Sequence, residues 1–227
     1  MWENSSDTVK EVYEKLLELH GALEHVPRRT PMRELISTIL SQRTTHADEE
    51  LAYKRMLEKF KTWEGVRDAA TEDLAHEIRT SRYPETKAEN IKKVLHQIFE
   101  ERAAAEIDFL ATMSTKDALR WLTALPGVGL KTATLLLLFN YKKPVLPVDT
   151  HVHRISLRVG LIPPKTSANK AHQVLLEQLP KDPYVLYNFH KALYRHGQRI
   201  CTYAGPDCAA CPLKDICQYY QDSKKVT

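Results

Sequence analysis

Cysteine is absent from the first 200 residues of this 227-residue chain, and all four cysteines fall between positions 201 and 217. Glycine is scarce too, at seven residues, and there is no internal repeat and no low-complexity segment beyond a Lys224-Lys225 end. The longest apolar run, Leu135-Leu136-Leu137-Leu138-Phe139, is far short of the roughly twenty residues that a membrane helix needs. The opening Met1-Trp2-Glu3-Asn4-Ser5-Ser6-Asp7 carries neither the basic stretch nor the apolar core of a secretion signal. The expectation is an intracellular, cytoplasmic protein with no membrane partner. Charge of one sign is lacking as well: 33 Lys and Arg against 29 Asp and Glu leave +4. That permits nucleic-acid binding without demanding it, so the distribution of charge must matter more than its sum.

Alternating strand patterns are also missing. Val9, Val12, Tyr13, Leu16, Leu17 and Leu19 recur at helical spacing, as do Leu35, Ile36, Ile39 and Leu40 after Pro31, and Leu51, Tyr53, Met56, Leu57 and Phe60. Further helices are expected near 71–80, 85–101, 115–123, 131–140, 149–160, 167–179 and 185–198. Most prolines fall between these stretches or at their edges, where a missing N–H is tolerated. The one extended-looking piece, Pro144-Val145-Leu146-Pro147-Val148, holds two prolines and would make a poor ladder strand. The chain reads as all-α.

Two of the seven glycines stand together in Leu125-Pro126-Gly127-Val128-Gly129-Leu130-Lys131-Thr132-Ala133, between two expected helices. Closely spaced glycines allow a tight turn and a close backbone approach, and the open amides of the following helix form an anion site suited to a phosphate. A Gly-rich interhelical turn without function would look the same. Lys131 separates the two readings. In the first turn of a helix its ammonium opposes the dipole, so the field favours the neutral, nucleophilic amine. Asp149, in Val148-Asp149-Thr150-His151-Val152, sits where a helix N-cap is expected; it is a plain cap or an ionised carboxylate at a helix mouth.

The cysteines form Cys201-x6-Cys208-x2-Cys211-x5-Cys217. In a reducing compartment such a group is a metal site rather than two disulfides. Four thiolates suit zinc and an iron–sulfur cluster alike, and spacing alone leaves both open.

Taken in order, the Gly127/Gly129 hairpin with Lys131, then Val148-Asp149-Thr150-His151, then the four cysteines resemble the endonuclease III family. This is the iron–sulfur branch of the helix-hairpin-helix DNA glycosylases. The similarity runs from roughly residue 10 to 220 and includes Lys87-Ala88-Glu89-Asn90-Ile91 and His196-Gly197. The resemblance implies a two-lobed all-α fold: a six-helix lobe at 30–141 inserted within a second lobe of 1–29 plus 142–227. DNA would bind across the cleft between them, with Lys131 and Asp149 contributed from its two sides. It implies a bifunctional glycosylase and abasic-site lyase of base-excision repair, acting as a monomer on double-stranded DNA with damaged bases or abasic sites. In a bacterium or archaeon such an enzyme would be nucleoid-associated. Lys131 would attack the sugar C1′ of a flipped, damaged, oxidised pyrimidine nucleotide, Asp149 would activate the amine, and a Schiff base would precede β-elimination. A [4Fe–4S] cluster would be held by Cys201, Cys208, Cys211 and Cys217.

The same family logic places the DNA contacts. Ser41-Gln42-Arg43-Thr44-Thr45-His46 resembles the segment that fills the gap left by the flipped nucleotide, through Gln42 or Arg43. Arg82 or Tyr83 would wedge the opposite strand, and Gly127, Val128, Gly129, His151 and Arg154 complete the expected contacts. Arg158, Lys142, Lys143, Lys92 and Lys93 are further phosphate candidates. Lys131, and Ile39 in place of a catalytic glutamate, argue against the adenine glycosylases; the tyrosine usual in thymine-mismatch glycosylases is absent. Three departures stand out: His46 replaces a usual aspartate, the wedge loop has no aliphatic residue, and the loop 202–207 has no basic residue. A lyase acting mainly on abasic sites is the alternative activity, and a non-catalytic iron–sulfur DNA-binding protein is the alternative class.

Overall fold

The computed structural model describes Trp2 and residues 6–225, so the opening heptapeptide lies partly outside the described residues. In chain order the helices are α1 (Asp7–His20), α2 (Pro31–Leu40), α3 (His46–Phe60), α4 (Trp63–Asp68), α5 (Thr71–Glu77) and α6 (Pro84–Arg102). After a 3-10 turn at Asp108–Ala111 come α7 (Thr115–Ala124), α8 (Leu130–Tyr141), α9 (Thr150–Val159), α10 (Ala168–Glu177), α11 (Pro183–Arg199) and α12 (Gln218–Lys225). The described residues contain no strand, and no helix among them is long and apolar enough to cross a membrane.

Local chemistry sets most boundaries. Pro31, Pro84 and Pro183 open α2, α6 and α11, the position where proline's missing N–H and fixed φ fit best. The side chains of Thr45, Ser114, Ser167 and Asp182 accept backbone N–H bonds at the starts of α3, α7, α10 and α11, satisfying otherwise orphaned donors. Residues 145–148 are buried without forming a helix or strand, and two of their carbonyls are met by histidines. His172 Nδ1 lies 2.8 Å from Leu146 O and His190 Nδ1 lies 3.0 Å from Pro147 O.

The chain forms two compact units: Met1–Val26 with Lys142–Thr227, and Pro27–Tyr141. In the continuous unit α8 is buried from Thr132 to Leu138, as expected of an all-round apolar helix at the centre of a core. It is flanked by α2 and α7. The buried stripe of α6 runs through Lys87, Ala88, Ile91, Val94, Leu95 and Ile98. In the discontinuous unit α11 packs on α1 and α9, and Gly197 permits the close approach to α9, since a Cβ there would meet His151 Cβ at 2.7 Å.

Several sequence expectations need correction. Leu19 and Leu51 are exposed rather than core; the buried stripes of α1 and α3 already have their 3.6-residue spacing without them. The helix expected over 71–80 ends at Glu77, and α4, the 3-10 turn and α12 were not anticipated. Each of these is short or polar, too brief for periodicity to register.

Candidate functional site

In the continuous unit, Gly127 takes φ +74, a backbone conformation that favours glycine, and its Cα abuts Asn90, whose Nδ2 would lie 2.8 Å from an added Cβ. Gly129 differs. Its φ is not positive, and an added Cβ would meet nothing within 4 Å. The protein's own packing therefore gives no reason for glycine at 129; the clearance suits the backbone of another molecule. Val128 between them is buried at 4% exposure, so any contact it makes outward comes from its backbone. Leu130 then opens α8, and Lys131 stands in its first turn, half-buried.

Gln42 joins this hairpin: its Nε2 donates to Gly127 O at 2.9 Å. Arg43, next along, has φ 55, and Tyr83 has φ 58; both are left-handed without being glycine. The two side chains are exposed and meet, Arg43 Nη1 to Tyr83 Oη at 3.5 Å, and Arg82 is exposed beside them. Beneath them lies the buried Lys87 ammonium, whose affinity for its proton is pushed down to about 8 by burial. His46 is exposed at the start of α3, with Nδ1 3.4 Å from a carboxylate oxygen of Glu49.

In the discontinuous unit, Asp149 is the N-cap of α9. Its Oδ1 accepts from His151 N and Val152 N, both at 2.8 Å. Its Oδ2 has no hydrogen-bond partner among the described residues. Only one oxygen of the carboxylate is engaged in capping the helix.

The four cysteines are free thiols and line one pocket together with Arg158, Lys214 and Tyr219. Burial raises the Cys211 thiol to about 11, and the neighbouring cysteines Cys201, Cys217 and Cys208 push it the same way. Burial and nearby Cys201 likewise raise Cys208 and Cys217. A set of thiols that oppose one another's ionisation is one that a bound cation relieves, so the residues fit a metal group. His196, wholly buried and pushed down to about 4 by burial and by His20, sits with Nε2 3.3 Å from Cys211 Sγ.

The arginines of α9 serve this loop. Arg154 bonds Cys201 O (2.7 Å), Gly197 O (2.9 Å) and His151 Nδ1 (3.1 Å). Arg158 donates to Thr202 O at 2.7 Å and Tyr203 O at 2.9 Å, and its Nη1 lies 3.2 Å from Cys201 Sγ. Both are expected to face phosphate; in the fold their guanidinium groups brace the loop that has no basic residue of its own. Lys92 similarly donates to Ala69 O. His151 packs edge-on against Tyr194.

Lys87, Asn90 and the two α9 arginines were not anticipated in these roles. A signal existed for the first. Lys87 lies four residues before Ile91 and seven before Val94 on the apolar stripe of α6, where a solvated lysine does not belong.

A family model described as "HhH-GPD superfamily base excision DNA repair protein" matches residues 36–181. Endonuclease III of Thermotoga maritima is 38% identical over 191 residues, 84% of each chain, and that of Rickettsia prowazekii is 32% identical over 186 residues, 82% of each. Among solved structures, a trapped endonuclease III–DNA covalent intermediate shares the fold with a TM-score of 0.81 at 26% identity, covering 95% of this chain and 97% of the other. A thermostable thymine-DNA glycosylase matches in fold at 0.72 and 19% identity. With its hairpin, lysine and capping aspartate in the order the resemblance required, the chain belongs to the HhH-GPD superfamily of base-excision DNA repair proteins, on its endonuclease III branch.

Proposed function

We propose that this protein removes damaged, oxidised pyrimidines from double-stranded DNA and nicks the resulting abasic strand through a Schiff base on Lys131. The observation that carries the reading is Lys131 in the first turn of α8, directly behind a hairpin whose Gly129 leaves room for another backbone. The trapped covalent complex of a relative with DNA supports it.

The hairpin amides and the α8 N-terminus would hold a phosphate. The neutral Lys131 amine attacks C1′, forming C–N as the bond to the base breaks and the departing base takes up a proton. The nitrogen, having given one proton to Asp149, then expels O4′, which takes that proton as C1′–O4′ breaks, and a protonated imine remains. Removal of a C2′ proton then breaks C3′–O, and the phosphate leaves; water later releases the lysine. The open Oδ2 of Asp149 accepts the amine proton and offsets positive charge on the sugar. Arg43 and Tyr83, paired and exposed, would fill the gap and the wedge.

Cys201, Cys208, Cys211 and Cys217 would hold a [4Fe–4S] cluster, whose contribution when bound is to cross-link the C-terminal loop, braced by Arg154 and Arg158. Visible absorbance near 400 nm with roughly four iron atoms per chain supports this; colourless protein carrying zinc contradicts it. The molecule is read as a monomer, cytoplasmic or nucleoid-associated.

Exposed His46, tied to Glu49, favours a second reading, a lyase acting mainly on abasic sites. Borohydride trapping on duplexes holding thymine glycol, uracil or an abasic site decides between them. An adduct with thymine glycol supports the glycosylase; adducts with the abasic duplex alone support the lyase.

A further inference from the structure

The Lys87 side chain is 3% exposed, yet no carboxylate pairs with it among the described residues. Its Nζ instead meets four oxygens: Leu40 O at 2.7 Å, Gln42 O at 2.7 Å, Ser81 Oγ at 2.7 Å and Thr44 Oγ1 at 3.1 Å. These come from two loops far apart in sequence. The loops are also tied directly: Ser81 Oγ donates to Leu40 O at 2.7 Å, and Arg82 N donates to Thr44 Oγ1 at 3.0 Å. On top of this knot sit the left-handed Arg43 and Tyr83. Strained, exposed, non-glycine residues persist only when the surroundings over-determine them. Here the surroundings are one desolvated ammonium and its oxygen ligands.

We propose that Lys87 is a positioning residue that fastens residues 41–44 and 81–83 into one rigid DNA-reading element, so that Arg43 and Tyr83 enter the helix as a joined pair. This rests on the reading that those two side chains meet DNA. An ammonium suits the task because it donates to oxygens on both loops at once, where a neutral side chain of similar length offers no donor. The four-oxygen knot also fixes the separation of the two probes before DNA arrives, so less order has to be imposed on binding. A plain helix cap at the end of α2 would need Leu40 O alone; Ser81 Oγ extends the contact to the second loop, and Thr44 Oγ1 is shared with Arg82 N of that loop.

The test is a double-mutant cycle on the affinity for a duplex with a tetrahydrofuran abasic analogue opposite 2-aminopurine. Arg43→Ala and Tyr83→Ala should each weaken binding by about tenfold, and together by little more than either alone. Lys87→Met, shown folded by circular dichroism, should approach the double variant in affinity and lose most of the 2-aminopurine fluorescence rise that reports unstacking. Ser81→Ala, which removes one ligand without adding volume, should move both readouts the same way by less, and serves if Lys87→Met does not fold. Full additivity of the two single losses, or a folded Lys87→Met with wild-type affinity and fluorescence, overturns the proposal. Single variants that both bind as wild type overturn the DNA-facing assignment itself.

Discussion

Asp149 caps α9 through Oδ1, and in the proposed mechanism Oδ2 takes the amine proton; substitution can separate the two roles. Asp149→Asn keeps an oxygen to accept from His151 N and Val152 N, and asparagine caps helices as well as aspartate does. It loses only the anion at the positive helix end, roughly 0.5 kcal/mol. For a chain of this size that lowers Tm by about 1–2 °C. Asp149→Ala loses the cap bonds as well, roughly 2 kcal/mol in all, or about 4–8 °C. Activity should not follow this order. Both variants lack the charged Oδ2, so both should lose about 10²- to 10³-fold in single-turnover cleavage of an abasic duplex, the scale for removing one preorganised electrostatic group. Thermal melting and quenched-flow cleavage on the same preparations make the comparison. If Asp149→Asn cleaves as fast as wild type, the aspartate is only a cap. If it melts as early as Asp149→Ala, the division of labour between the oxygens is wrong.

Other consequences follow from the same geometry. Gly127→Ala must place a Cβ at positive φ and against Asn90, and should cost more than about 1 kcal/mol in urea unfolding. Gly129→Ala meets neither obstacle and should melt within a degree or so of wild type, while losing affinity for duplex DNA in a filter-binding assay. Cys217→Ser should lose the absorbance near 400 nm, and Arg158→Met should lower iron content by freeing the 202–203 carbonyls. Lys87 offers a linkage test. Its folded value of about 8 lies below its ordinary 10.5, so the folded state binds fewer protons between those values and stability rises with pH across that window. The shift corresponds to about 3 kcal/mol. Urea midpoints at pH 7.5 and 10 should therefore show wild type gaining on Lys87→Met; equal changes would contradict a buried, charged lysine.

The helices with clear apolar stripes, such as α1, α2 and α11, were legible because periodicity reports burial directly, and α8 was legible from its unbroken apolar run. The candidate constellation could be named from sequence because Gly127, Gly129 and Lys131 crowd the start of one helix and Asp149 caps the start of the next; its action on DNA is the proposal. Partnering was not legible. Arg154 and Arg158 read as phosphate ligands from charge alone, and only the folded chain shows their guanidinium groups meeting the carbonyls of residues 197–203. The same holds for His172 and His190, whose ring nitrogens meet backbone carbonyls that no pattern in the sequence could pair with them. Long-range hydrogen bonds to backbone carry no periodic signature. Lys87 was the exception, a charge on an apolar stripe that sequence alone could have flagged.

Whether Lys131 is the nucleophile is tested most directly by locating the covalent link. Borohydride reduction in the presence of an abasic duplex, followed by proteolysis and mass spectrometry, should place the nucleotide remnant on Lys131, and Lys131→Gln should trap no DNA. A remnant on another lysine or on the N-terminal amine, or undiminished trapping by Lys131→Gln, would contradict the account.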